Sequence, residues 1–256
     1  MSVEVADTPS PLLRASGVGK RFGAVTALES VDIEVYPGEI TGLVGDNGAG
    51  KSTLIKIISG VHQADSGMVE LEGRAVSFGS AAEARAAGIE TVFQDLALAG
   101  NMSVWANIYL GREKTWGPGF LDKRGMAASA KQMLDQLRMN VPPIDAPVAA
   151  LSGGQRQAIA IARAAAWGSK IIIMDEPTAA LGVGETAAVE ELIRGLRDQG
   201  FGLLIISHNL DQVFRLADRI TVIRRGRFVG ARMTVETSPE EIVAMITGVQ
   251  TSAGAR

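Results

Sequence analysis

The sequence contains no cysteine, which excludes disulfides, thiol nucleophiles and cysteine-ligated metal centres. Histidine is nearly as scarce, with His62 and His208 the only two. No apolar run approaches the roughly 18 residues needed to span a bilayer, and "KIIIM" and "GLLIIS" are strand-sized. Lysine and arginine form no block, and the net charge of −3 argues against a nucleic-acid surface. The N-terminal "MSVEVADTPSPLL" is acidic and lacks the apolar centre of a secretory signal. What is present suffices for a real core: 256 residues, 46% of them hydrophobic, suit one large or two closely joined domains. The expectation is a soluble, cytoplasmic protein whose membrane role runs through partners.

Residues 1–10 are small, acidic and proline-containing, as in a loose tail. "ESVDIEV" alternates apolar Val31, Ile33 and Val35 with polar residues, the period of a half-buried strand. "EITGLVG" predicts a buried strand, followed by a glycine-rich loop and the apolar helix "KSTLIKIISG". "GMVELEG" and "GIETVFQ" predict further strands. From about Asn101 to Ala150 the pattern turns helical, in "SVWANIYL" and "RGMAASAKQMLDQLRM", with "NVPPIDAPVAA" as a proline-rich connector. Strand and helix then alternate again through "KIIIM", "GETAAVEELIRGLRDQG", "GLLIIS", Leu210–Ala217 and "RITVI". Short apolar strands alternating with helices imply a mostly parallel sheet covered on both faces.

Gly45-Asp46-Asn47-Gly48-Ala49-Gly50-Lys51-Ser52 satisfies the phosphate-loop pattern G-x-x-x-x-G-K-[ST] at every fixed position, after a strand and at the start of a helix. Its backbone N–H groups would converge on phosphate oxygens at a helix N-terminus. Lys51 would contact the β- and γ-phosphates, and Ser52 would hold Mg²⁺. "IIIMDE" ends a buried strand in two carboxylates. Beside a phosphate loop, Asp175 can hold the Mg²⁺ shell and Glu176 can polarise the attacking water. Gln94 either reaches Mg²⁺ or the water through its amide oxygen, or is a polar strand terminus. His208 either donates to the γ-phosphate or has a capping or core role. Phe22 either stacks on adenine or belongs to the core, and His62 reads as a surface-turn residue. "LSGGQ", Leu151–Gln155, is a second helix start suited to an anion: Ser152 is a good N-cap, and Gly153 and Gly154 leave first-turn N–H groups open.

The phosphate loop, Gln94, "LSGGQ", "IIIMDEPT" and His208, in that order and spacing, resemble the ATP-binding subunits of ABC transporters over nearly the whole chain. The resemblance implies an α/β phosphate-loop NTPase core with a mostly parallel sheet, an antiparallel β subdomain and an inserted helical subdomain at about 101–165. It implies one such ATPase domain over 11–248, with 249–256 a C-terminal tail. In that family two ATPase domains sandwich two ATPs head to tail, and the LSGGQ of one closes over the γ-phosphate held by the other. By this resemblance the nucleotide is held by Phe22, by Gly45 through Lys51, by Ser52, Thr53 and Gln94, and from the partner by Ser152, Gly153, Gly154 and Gln155. Mg²⁺ would be held by Ser52, Gln94 and Asp175; Glu176, His208 and Lys51 would be catalytic. The family usually has aspartate after "DEPTAAL", where this chain has Gly182, which puts communication between the two domains in question.

"AAEARAAGIETVFQDLALAGNMSVWANIYLGRE" together with "DEPTAALGV" resembles, within that family, the ATPases of ribose-, xylose- and fructose-type importers. That resemblance implies an ATPase that uses ATP and Mg²⁺ to power monosaccharide import. It would act as a homodimer at the inner face of the cell membrane, through an integral membrane permease fed by a periplasmic sugar-binding protein. An exporter or lipid-transport ATPase would share the same catalytic residues. A nucleic-acid-associated relative would call for coiled-coil insertions, zinc cysteines or basic patches, and the sequence has none of these.

Overall fold

The computed structural model describes residues 10–117, 119–137 and 143–249. Most of both expected tails, the end of the predicted helix at Arg138 and Met139, and Asn140–Pro142 of the connector lie outside these residues.

Three strongly apolar strands stand in the middle of the parallel part of the sheet. They are β3 (Ile40–Val44), β9 (Ile171–Asp175) and β10 (Gly202–Ile206), buried on both faces throughout apart from the half-buried tip of β9. Side chains alternate across them. Ile171, Ile173, Leu204 and Ile206 enter one core, and Ile172, Met174, Leu203 and Ile205 enter the opposite one. With β6 (Ile89–Val92) and β11 (Arg219–Arg224) they pair in parallel in the order β11-β3-β10-β9-β6.

Beyond β11 the sheet changes character. Strand β12 (Arg227–Met233) runs antiparallel to β11 and meets β2 (Val25–Val35) by one parallel bridge, Arg227 to Ser30. Next come β1 (Leu13–Phe22), β4 (Ser66–Leu71) and β5 (Arg74–Val76), all antiparallel. The ten-stranded whole reads β5-β4-β1-β2-β12-β11-β3-β10-β9-β6.

Helix α1 (Lys51–Ile58) follows β3 and buries Leu54, Ile55, Ile57 and Ile58 beneath the antiparallel strands, and the short α2 (Ala81–Ala86) adds Ala84 to that core. A separate core joins α3 (Val104–Tyr109), α4 (Lys123–Gln136) and one face of α5 (Gly153–Ala165). Helix α5 belongs to two cores: Ile159 and Ala162 face α3 and α4, whereas Ala160, Ile161 and Ala164 face the parallel sheet. Helices α6 (Val183–Asp198), α7 (Leu210–Leu216) and α8 (Pro239–Thr247) cover the same sheet face.

Two sequence expectations change in detail. The segment read as helical contains a two-stranded hairpin, β7 (Thr115–Gly117) with β8 (Phe120–Leu121). The strand read through "IETVF" stops at Val92, so Phe93 and Gln94 already lie past it. Among the described residues, no helix is long and apolar enough to cross a membrane.

Candidate functional site

Parallel register brings the chemistry to one edge of the sheet. Val92 pairs with Met174, Asp175 with Ile206, Ile206 with Leu43, and Val44 with Val222. Gln94, Glu176, His208 and the loop that begins at Gly45 therefore all emerge at the carboxyl ends of neighbouring strands. Open α/β sheets bind ligands at that edge.

The loop from Gly45 to Gly50 is seated on backbone. A Cβ on Gly45 would collide with the carbonyl oxygen of Ile223, and one on Gly50 would lie 2.5 Å from Leu28 Cδ2 and 2.8 Å from the Ala27 carbonyl oxygen. Both glycines also adopt positive φ, at 154° and 105°. From beneath, the Gly226 N–H donates to the Ala49 carbonyl at 2.9 Å. Lys51 opens α1 and turns its ammonium back across the loop, donating to the carbonyl oxygens of Gly45 (2.6 Å) and Asp46 (3.0 Å). Burial lowers the Lys51 pKa, and the charges of Glu176, Asp175 and Asp46 oppose that shift. Ser52 is exposed in the first turn of α1, with Thr53 half-buried behind it.

Asp175 and Glu176 differ in environment. Burial pushes the Asp175 carboxyl up and the neighbouring Glu176 charge adds to this, while Lys51 and Lys56 pull it down. A half-buried hard oxygen donor of this kind, with the Ser52 hydroxyl as a second, is the chemistry that suits Mg²⁺. Glu176 has left the strand with φ 53°, unusual for a residue with a side chain, and its N–H donates to the Ile206 carbonyl at 2.9 Å. Its Oε1 accepts the backbone N–H of His208 at 2.9 Å and lies 2.7 Å from His208 Nδ1. The His208 side chain is 72% exposed, and Asn209 is the residue that caps α7, so His208 has neither the core nor the capping role. The arrangement joins a carboxylate to an imidazole and sets its charge against Lys51 of the phosphate loop.

Ser152 caps α5 as its sequence predicts. Its Oγ accepts the Gln155 N–H at 3.3 Å, and the Gln155 side chain accepts the Ser152 N–H at 3.0 Å. Sequence reasoning missed the residue beside it. Glu185, in the first turn of α6, accepts the Gly154 N–H at 3.2 Å on Oε1 and the Gly182 N–H at 3.3 Å on Oε2, so the Gly154 N–H expected to stand open is already bonded within the chain. A hydrogen bond with the Ser152 side chain, followed by those two N–H groups, lowers the Glu185 pKa. Gly182 is the N-cap of α6 and has no side chain to offer, so Glu185 supplies the local carboxylate. Side chains against Gly153 and Gly154 are those of Leu181 and Glu185, whereas the phosphate loop touches Ile223, Ala27 and Leu28. The two glycine-rich starts thus have different neighbours within the chain.

Phe22 ends β1 and is 45% exposed, so it is not a core residue. His62 meets its ring edge-on, with centroids 5.3 Å apart, and Lys20 Nζ lies 5.6 Å from the centroid. Gln94 stands exposed, and the loop after it is clamped from two helices. Arg163 of α5 donates to the carbonyls of Leu96 and Ala97, each at 2.9 Å. Asn107 of α3, fully buried, accepts the Ala99 N–H at 2.7 Å and donates to the Ala99 and Ser103 carbonyls at 3.0 Å. Neither clamp was read from the sequence.

A phosphate loop on a parallel sheet, two carboxylates where β9 ends and a separate LSGGQ helix start define an ATP-binding cassette, an ATPase. Residues 28–179 match the family described as ABC transporter, and the chain belongs to that family. It is 50% identical over 238 residues to the xylose/arabinose import ATP-binding protein XylG of Sulfolobus acidocaldarius, covering 93% of this chain and 94% of that protein. It is 48% identical over 247 residues to the fructose import ATP-binding protein FrcA of Rhizobium meliloti, covering 94% and 95%. Among solved structures, an ATP-binding cassette of an ABC transporter superposes with a TM-score of 0.80 at 31% identity, covering 92% of this chain and 98% of the other.

Proposed function

We propose that the chain energises import of a monosaccharide through a membrane permease. Two copies would form a homodimer in which each ATP lies between the phosphate loop of one and the LSGGQ start of the other. The observation that supports the dimer is the pair of glycine-rich helix starts with separate neighbours in a single chain. The importer role is supported by the near-full-length similarity to sugar import ATP-binding proteins. The permease would hold the chain at the membrane, with the loop after Gln94 as the face turned toward it.

In this reading the Gly45–Gly50 backbone and the α1 N-terminus bind the phosphates, and Lys51 exchanges its loop carbonyls for phosphate oxygens. Ser52 and Asp175, joined by Gln94, would hold Mg²⁺, which supplies charge neutralisation across the β- and γ-phosphates. Glu176 takes the proton of the attacking water as its oxygen bonds to the γ-phosphorus and the bond to the β-phosphate oxygen breaks. His208 orients Glu176 from 2.7 Å. Phe22 provides an exposed π-face for adenine.

Mixed dimers test the shared site. Lys51→Ala breaks the phosphate loop, and Ser152→Arg blocks the signature. Each homodimer then lacks half of both sites and should occlude no ATP. The mixed dimer keeps one intact site and should trap one ATP per tagged, purified heterodimer. A value near zero would overturn the shared-site reading.

A further inference from the structure

Glu176 and His208 face each other across two loops, and their own contact cannot hold those loops in place. His208 is largely in water, where its hydrogen bond to Glu176 competes with solvent, and Glu176 holds a φ of 53° that a glutamate leaves unless it is constrained. Directly beneath that pair lies a buried side chain that spans the same two loops. Gln212 of α7 is 2% exposed. Its Oε1 accepts from Ser207 Oγ at 2.9 Å, and its Nε2 donates to Thr178 Oγ1 at 2.6 Å. Thr178 lies two residues after Glu176, and Ser207 immediately precedes His208.

Ser207 Oγ also accepts the Asn209 N–H at 3.1 Å, while giving its proton to the Gln212 oxygen, and the Gln212 nitrogen donates to Thr178. The Gln212 backbone N–H is itself anchored on Asn209 Oδ1 at 3.1 Å. Both ends of the amide are engaged, the Ser207 end buried and the Thr178 end partly so, which makes the link costly to break.

We infer that Gln212 is a positioning residue for ATP hydrolysis: it ties Thr178 to Ser207 and thereby holds Glu176 and His208 in register. None of these hydrogen bonds reaches the phosphate loop, so its role separates from nucleotide binding. The inference rests on the ATPase role of Glu176 proposed above.

The test is a double-mutant cycle on the purified full-length chain. Gln212→Leu removes the link between the Ser207 and Thr178 hydroxyls and should lower the hydrolysis rate by about 10–100-fold, the scale of a misplacement near 1 Å, with ATP affinity unchanged. Gln212→Glu can still accept from Ser207, and Thr178 can reverse to donate, so it should hydrolyse ATP within about threefold of wild type. In a Glu176→Gln background, Gln212→Leu should slow residual hydrolysis by less than about twofold, because the group it positions is gone. If the two losses multiply instead, Gln212 does not act through Glu176 and the inference falls. If Glu176→Gln alone leaves hydrolysis intact, the base assignment falls first, and that outcome is distinguishable. Should Gln212→Leu not fold, Thr178→Val cuts the same link from the other end. It should give the same rate loss and the same insensitivity in the Glu176→Gln background, and additivity there would overturn the proposal equally.

Discussion

Replacing Arg163 with methionine removes a guanidinium while keeping an aliphatic stem of similar length. In the wild type that guanidinium reaches from α5 to the carbonyls of Leu96 and Ala97, both at 2.9 Å. Burial pulls its pKa below the ordinary guanidinium value and Glu90 opposes the shift, so the group is desolvated but still charged. Hydrogen bonds to a charged group are worth about 1.5–3 kcal/mol each. Ala97 sits at φ 48°, a conformation costing on the order of 1–3 kcal/mol in a non-glycine residue, which the clamp helps to maintain. Water recovers part of the loss, because Ala97 is exposed and Leu96 is only half-buried. The net destabilisation should be about 2 kcal/mol, or about 4–8 °C in Tm for a domain of this size. Hydrogen exchange should quicken at Ala97 and Ala99, whose N–H groups are bound to Asp95 and Asn107. ATP affinity should not move, since Arg163 touches no residue of the phosphate loop. With a permease reconstituted alongside, transport should fall further than basal ATPase activity, because the freed segment is the one proposed to face the permease. Arg163→Lys keeps the charge but lacks the planar fork that spans both carbonyls, and should fall between. A variant that melts within about 1 °C of wild type, with unchanged exchange at both amides, would refute this account of the clamp.

Glu185→Gln should lower Tm at neutral pH, where the ionised carboxylate is held by Ser152, Gly154 and Gly182. Because the folded-state pKa is depressed, that contribution is complete above the ordinary carboxylate value and is lost as pH falls through the folded one. The gap between variant and wild type should therefore close below about pH 4; a gap unchanged at lower pH would show that charge is not its source. Phe22→Ala should weaken ATP binding by about 1–3 kcal/mol, and adenine and guanine nucleotides by similar amounts, since stacking reads a π-face. Unchanged affinity in a folded variant would remove Phe22 from the nucleotide site.

The parallel strands were legible because "GLLII" and the first four residues of "IIIMD" have no polar position to place in water, and burial on both faces is the only arrangement that suits them. The motif residues were legible because a phosphate loop, a capping serine and a strand-end acid pair act through local chain geometry. Short elements escaped. Helix α2 is six residues long, too short for a hydrophobic period, although Ser80 accepting the Glu83 N–H at 3.3 Å is a capping signal that "SAAE" carries. The roles of Glu185, Arg163, Asn107 and Gln212 were hidden for another reason. Each acts on a backbone or hydroxyl group of another element, and which groups end up beside it is decided by packing rather than by spacing. Asn107 illustrates the difficulty: a lone asparagine inside "SVWANIYL" resembles a polar surface position, yet it is fully buried and saturated.

The seating of the phosphate loop also orders events in time. Its floor is the turn joining β11 and β12, through Ile223 and Gly226, and β3 has both its sheet neighbours, β10 and β11, from beyond residue 200. On a ribosome, Gly50 emerges after Ala27 and Leu28 but long before Ile223 and Gly226. The roughly 175 residues from there to Gly226, made at about 5–20 per second, take roughly 10–35 s. Through that interval the most diagnostic motif of the chain is a glycine loop without its floor from Ile223 and Gly226. Nucleotide binding is therefore a late, co-operative property of the finished fold, and an ATP-competent nascent chain first exists when its last quarter has docked.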